Sequence, residues 1–216
     1  MSIILFGCAR KPEVVRRAPV SIVFFGDSVT YGYGVDTKSE SFYARIHNIM
    51  KSGIYGDVIT YNAGVSGDDT SEALNRMSTD VIAHDPDIVI IAFGLNDCLN
   101  KTITLDIFGA NIHSMIAAVP AKTKIILATS NTFLDAGQSD IRYNNDSIEV
   151  FMKEIKKIAQ EKELVLIDVH KAWKRQIQQD SRHMESMYVD PGHPSAKGHE
   201  LIYNTYMNVL RRQLIK

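Results

Sequence analysis

The sequence predicts an α/β fold built on a parallel five-stranded sheet with helices on both faces. Three observations carry this expectation: five short apolar runs rich in β-branched residues, helical patterns lying between them, and one run, Ile88 to Phe93, that is apolar without alternation. Strands alternating with helices need right-handed crossovers that return each helix onto the sheet. A strand buried on both faces then reads as continuously apolar rather than alternating.

In chain order, the first strand is expected at Ser21 to Phe25, where a β-branched and aromatic run ends at Gly26. A helix follows at Glu40 to Lys51, with Ser39 as its cap. The second strand, Val58 to Tyr61, runs into Asn62-Ala63-Gly64, and Asp69 caps a helix from Thr70 to His84. The third strand, Ile88 to Phe93, precedes a helix from Leu105 to Val119. The fourth, Lys124 to Thr129, precedes a helix from Ser139 to Glu161 with Asp140 as capping residue. The fifth, Leu164 to Asp168, leaves a last helix at Ser195 to Leu214.

With 45% hydrophobic and 23% charged residues, the 216-residue chain is expected to form one domain over residues 20–216, preceded by a leader or linker over 1–19. The net charge of −1, with Lys and Arg scattered, argues against nucleic-acid binding, and no apolar run is long enough to span a membrane. Cys8 and Cys98 form neither a disulfide framework nor a zinc pattern, so neither metal nor other cofactor is expected. Leu5-Phe6-Gly7-Cys8 resembles the cleavage box of a bacterial lipoprotein signal. The apolar run before it is short and no basic residue precedes it. As written the chain reads as cytoplasmic; as the remnant of a longer precursor it would be periplasmic or lipid-anchored.

In an open parallel sheet, ligands bind beyond the carboxyl ends of the strands. Those positions hold Gly26-Asp27-Ser28, Asn62-Ala63-Gly64 and Gly94-Leu95-Asn96-Asp97, and Asp190-Pro191-Gly192-His193 precedes the last helix. Each alone has a structural reading: Ser28 and Asn96 as helix caps, Gly64 as a turn residue, Asp190 to His193 as a helix-entry loop. Together they supply a chemistry. A serine hydroxyl needs a base, and the base needs an orienting carboxylate; His193 and Asp190 provide both, with Pro194 restricting the histidine. Negative charge developing on an ester carbonyl oxygen needs donors, and the Ser28 N–H, the Gly64 N–H and the Asn96 amide qualify.

The blocks Phe24 to Gly32, Asn62 to Thr70, Phe93 to Asp97 and Asp190 to His199 resemble, in order, the four signature blocks of the SGNH hydrolases, also called GDSL esterases and lipases. The resemblance runs from about Ile22 to His199. It implies a three-layer, flavodoxin-like α/β/α sandwich, no metal, and hydrolysis through an acyl-serine. By matching position it implies Ser28 as nucleophile and oxyanion donor, Gly64 and Asn96 as donors, His193 as base and Asp190 as its orienter. The first two blocks most resemble small bacterial esterases, lysophospholipases and acyl-CoA thioesterases. Tyr31, Tyr33 and Cys98 depart from the usual pattern near the site.

Asp27 and Asp97 read as turn-fixing carboxylates, Cys98 as a packing residue, and the remaining histidines as surface or core residues. Tyr31, Tyr33, Phe133 and Leu134 are candidates to contact substrate, which is expected to be a small-molecule or lipid ester. Loops too short for a large lid favour short acyl groups or soluble acyl carriers. Two alternatives stand beside this reading: an O-acetyl deacetylase acting on carbohydrate or cell-wall polymers, and a non-catalytic binding module on the same fold.

Overall fold

The computed structural model describes residues 18–134 and 143–214. The leader and Leu5 to Cys8, together with the expected helix start at Ser139 and Asp140, lie outside the described residues.

Five parallel strands form one sheet: β1 (Val20–Gly26), β2 (Val58–Gly64), β3 (Ile88–Ala92), β4 (Lys124–Ala128) and β5 (Val165–Ile167). Their order is β2-β1-β3-β4-β5, with Gly26 paired to Gly64 on one side and to Ala92 on the other. The chain therefore steps outward from β1 to β2, then reverses past β1 to β3. That reversal is the topological switch point of a flavodoxin-like sheet, and it opens a crevice beyond the ends of β1 and β3. β3 is buried along nearly its whole length, as a central strand covered on both faces should be, whereas in the edge strand β2 only Thr60 and Ala63 are buried.

Helices α2 (Phe42–Lys51), α7 (Val169–Gln179) and α8 (Ala196–Leu214) pack together on one side. Helices α3 (Thr70–Asp80), α5 (Leu105–Ala118) and α6 (Asn145–Glu161) pack in series on the other. Two short helices, α1 (Ser28–Tyr31) and α4 (Leu95–Leu99), follow directly on β1 and β3. Among the described residues no helix is long and apolar enough to cross a membrane.

Besides the short α1 and α4, three helices differ most from the sequence expectation. α2 starts at Phe42 with Ser41 as its cap, because Asp36 captures the Lys38 N–H and the Ser39 hydroxyl in a preceding turn. α6 starts at Asn145 with Asn144 as its cap. α7 was not anticipated: Val169, Trp173 and Ile177 supply only one apolar residue per turn in an otherwise polar segment. That narrow stripe suffices because Trp173 is fully buried and Asp168 caps the helix by accepting from the Lys171 N–H. Asp69, by contrast, makes the expected cap, closing a capping box with Glu72.

Candidate active site

Ser28 stands at the first position of α1, immediately after β1. Gly26 is obligatory there, since a Cβ would lie 2.1 Å from Thr30 Oγ1. Asp27 caps α1 by accepting from the Val29 N–H at 2.9 Å, and Gly32, at φ +94°, ends the helix after one turn. The hydroxyl of Ser28 is thereby presented at the crevice on a short, braced helix. The Ser28 N–H has no acceptor among the described residues.

Ser28 Oγ lies 2.9 Å from His193 Nε2, and His193 Nδ1 lies 2.7 Å from Asp190 Oδ2. Asp190 Oδ1 also accepts from the backbone N–H groups of Gly192 and His193, each at 2.9 Å, so the carboxylate closes the turn that carries its own histidine. Burial would raise the pKa of Asp190. The His193 ring and the two N–H donors outweigh it and hold the carboxyl below its ordinary value.

The loop is held from outside as well. The Asn131 amide donates to Gly192 O at 3.0 Å, and the Leu134 N–H to Pro191 O at 2.8 Å. Trp173 Nε1 donates to the Tyr188 hydroxyl at 2.6 Å, which lies 2.7 Å from Thr132 Oγ1. Phe133, expected near substrate, is only 1% exposed; its ring packs on Tyr143 and sits below Gly192. It props the loop and also lines the cavity beside the loop after β4, whose walls do not include Ser28 or His193. Leu134 is half-buried and acts on the loop through its backbone.

Asn96 projects from the start of α4, and its Nδ2 donates to Asp68 O at 2.9 Å, leaving a second N–H on the same amide. Asp97 is fully buried and accepts from the Thr70 N–H at 2.9 Å and the Thr70 hydroxyl at 2.6 Å. Burial pushes its pKa up to about 6. Asn100 adds a bond to Asp69 Oδ2 at 2.8 Å, so the loops after β2 and β3 are stitched together.

Gly64 has another duty than the one expected. Its N–H donates to Asn62 Oδ1 at 2.9 Å, and a Cβ on it would lie 2.3 Å from Tyr31 N. It lets α1 lie directly on the end of β2, while Asn62 Nδ2 holds Thr30 O at 3.0 Å. Gly67, in the same sequence block, has φ +92°, open space where a Cβ would be, and an N–H without an acceptor among the described residues. It precedes Asp68, whose carbonyl Asn96 holds, and so lies beside the asparagine. The second glycine of Asn62 to Thr70 was the available signal for it.

Arg76 on α3 was also missed. Its guanidinium pairs with Asp68, donates to Ala63 O at 2.8 Å and Gly26 O at 3.0 Å, and lies over the Phe25 ring. One side chain thus joins the ends of β1 and β2 to the Asp68 segment. In sequence it is one more charge on a helix.

Asp27 is buried directly beside Ser28. Burial, aided by the nearby charges of Asp97 and Asp68, pushes its pKa up from 3.8 to about 7. Between those values the unfolded chain has released a proton that the folded state keeps, so stability falls as pH rises through this window. Asp27→Asn retains an acceptor for the Val29 N–H and removes the buried charge. It is expected to gain on the parent as pH rises, by up to about 4 kcal/mol above pH ~7, with the gain vanishing near pH ~4. Urea midpoints across this range check it; a difference independent of pH would contradict it.

Cys98 is half-buried with its thiol donating to Leu95 O, and burial pushes its pKa up to about 12, which fits an unreactive packing residue. His170 pairs with Glu149 at 2.8 Å, and buried His199 accepts from the Phe42 N–H. Tyr31 and Tyr33 are both about half-exposed, and the Tyr33 ring lies 4.4 Å from the His193 ring, centroid to centroid.

The sequence profile of the GDSL-like Lipase/Acylhydrolase family matches residues 24–201. An acetylxylan esterase of Geobacillus stearothermophilus is 21% identical over 204 residues, covering 86% of this chain and 91% of that protein. An arylesterase of Vibrio mimicus is 28% identical over 123 residues, covering 55% of this chain and 56% of its own. Among solved structures, a lipase/acylhydrolase from Enterococcus faecalis superposes with a TM-score of 0.77 at 26% identity, covering 90% of this chain and 96% of that one.

Proposed function

Because the chain belongs to the GDSL-like lipase/acylhydrolase family and is a carboxylic ester hydrolase, we propose that it cleaves esters of short acyl groups through an acyl intermediate on Ser28. The observation that carries this reading is the unbroken relay from Ser28 Oγ to His193 Nε2 at 2.9 Å and from His193 Nδ1 to Asp190 at 2.7 Å. His193 takes the serine proton as Oγ attacks the carbonyl carbon, and Asp190 holds the imidazole in the tautomer that can accept it. The oxyanion is stabilised by the Ser28 N–H, the Gly67 N–H and the free N–H of the Asn96 amide; Gly67 replaces Gly64 because the Gly64 N–H is already engaged. His193 then gives its proton to the departing alcohol. A water, deprotonated by the same nitrogen, releases the acid from Ser28.

The restriction to short acyl groups is motivated by the loop lengths at the strand ends. The large cavity beside the loop after β4, about 530 Å³, is walled by Thr132, Glu149, His170 and Lys174, and not by Ser28, Asn96 or His193. Rates on 4-nitrophenyl esters are expected to peak at two to four acyl carbons and to fall by roughly 10-fold or more at long chains. An optimum at long chains would reject the short-acyl part of the reading.

A second reading, removal of O-acetyl groups from carbohydrate, is favoured by the acetylxylan esterase that this chain matches over 91% of its length. It uses the same residues and differs in the alcohol. Faster turnover of acetylated xylooligosaccharides than of simple acetate, thioester or lysophospholipid substrates would select it. The binding-module alternative is set aside by the family's hydrolase class.

A further inference from the structure

We propose that Tyr33 is the surface against which the alcohol half of the ester lies, making the enzyme selective for alcohols built on a six-membered ring. This rests on the acyl-Ser28 reading and adds the leaving-group side to it. The nitrogen that accepts the Ser28 proton must later protonate the leaving oxygen, so that oxygen has to come within hydrogen-bond reach of His193 Nε2. The carbonyl oxygen, meanwhile, points to Asn96 and Gly67. The alcohol therefore leaves the reacting carbon on the histidine side.

What occupies that side is an exposed apolar shelf. The Tyr33 ring is tilted 45° against the His193 ring with 4.4 Å between centroids, and it is 47% exposed. Val189, 46% exposed, continues the shelf: a Cβ on Gly34 would come 2.5 Å from Val189 Cγ2, so Val189 lies against Gly34, the residue after Tyr33. The shelf is fixed relative to the nucleophile. The Tyr33 N–H donates to Ser28 O at 3.0 Å, and the Val189 N–H donates to His193 O at 2.9 Å. An exposed aromatic face next to the proton donor rewards a flat or chair-shaped ring, which can cover it, more than a short branched alcohol, which cannot.

Cyclohexyl and isopropyl acetate share the acyl group and the secondary alcohol and differ in the ring; phenyl acetate distinguishes an aromatic from a saturated ring. The measured quantity is kcat/KM for each ring ester divided by that for isopropyl acetate. Tyr33→Ala is expected to lower this ratio roughly 3- to 10-fold for at least one ring ester, mainly through KM, and Tyr33→Phe to retain it. A ratio unchanged in Tyr33→Ala, even with all rates reduced together, would show that Tyr33 only props His193 and would overturn the proposal. Loss of the ratio in Tyr33→Phe would overturn it too, since the hydroxyl and not the ring would then carry selectivity. Survival of isopropyl acetate hydrolysis in Ser28→Ala would instead count against the acyl-Ser28 reading.

Discussion

Replacing Ser28 with alanine is expected to lower kcat by roughly 10⁴- to 10⁶-fold while leaving the protein folded. The side chain is buried and small, and among the described residues its oxygen makes one hydrogen bond, to His193 Nε2. α1 is held by other groups: the Asp27 cap, the Asn62 amide on Thr30 O, and the close seat of Tyr31 on Gly64. A thermal transition within a few degrees of the parent's, together with lost turnover, is the expected pair of results. Retained turnover would remove Ser28 from the chemistry. Loss of the folded state would mean that α1 needs the serine for its structure.

Asp190→Asn is expected to cost roughly 10³- to 10⁴-fold in kcat with a small effect on KM. An asparagine at this position can still accept from the Gly192 and His193 N–H groups through its oxygen, so the turn should survive. Its amide nitrogen would then face His193 Nδ1 as a donor. The ring would have to accept at Nδ1 and carry its proton on Nε2, the nitrogen that must take the proton from Ser28. The native carboxyl is held below its ordinary pKa by those same hydrogen bonds, so it stays ionised into mildly acidic solution and keeps orienting the ring there. kcat measured from about pH 5 to 8 checks this. A loss much smaller than 10³-fold at neutral pH would show that the loop, and not the carboxylate, fixes the tautomer.

The general plan and the corner that holds the site are legible in the sequence because both depend on local pattern. Ile88 to Ala92 is apolar throughout since it lies centrally in the sheet, and the residues after β1, β2 and β3 follow from where strands end. Ser28, His193 and Asp190 could be named together because each role demands a particular functional group, and those groups occur at strand ends or in one tight turn. The structure brings these three within hydrogen-bond distance across 165 residues of chain.

What was not legible depends on contacts between segments. Gly64 and Gly67 are both glycines of one block, and only the packing of α1 on β2 tells that the first is a close-approach position with its N–H consumed. Phe133 looks like a wall residue in a polar loop; it lines the cavity beside the loop after β4 while its ring also packs on Tyr143 and near Gly192. Arg76 gains its importance from two backbone carbonyls and Asp68, all supplied by other elements. The stretch that became α7 was too polar for its helical stripe to stand out, and its buried Trp173 donates to the Tyr188 hydroxyl beside the Asp190–His193 loop.

The proposed acyl-enzyme on Ser28 is open to direct trapping. Mixing the protein with excess 4-nitrophenyl acetate, quenching in acid within the first turnovers and mapping peptides by mass spectrometry is expected to find one acetyl group on the Ser28 peptide, absent from Ser28→Ala and enriched in a variant with slowed deacylation. Acetate released with no adduct on Ser28, or an adduct on another side chain that persists in Ser28→Ala, would contradict the mechanism.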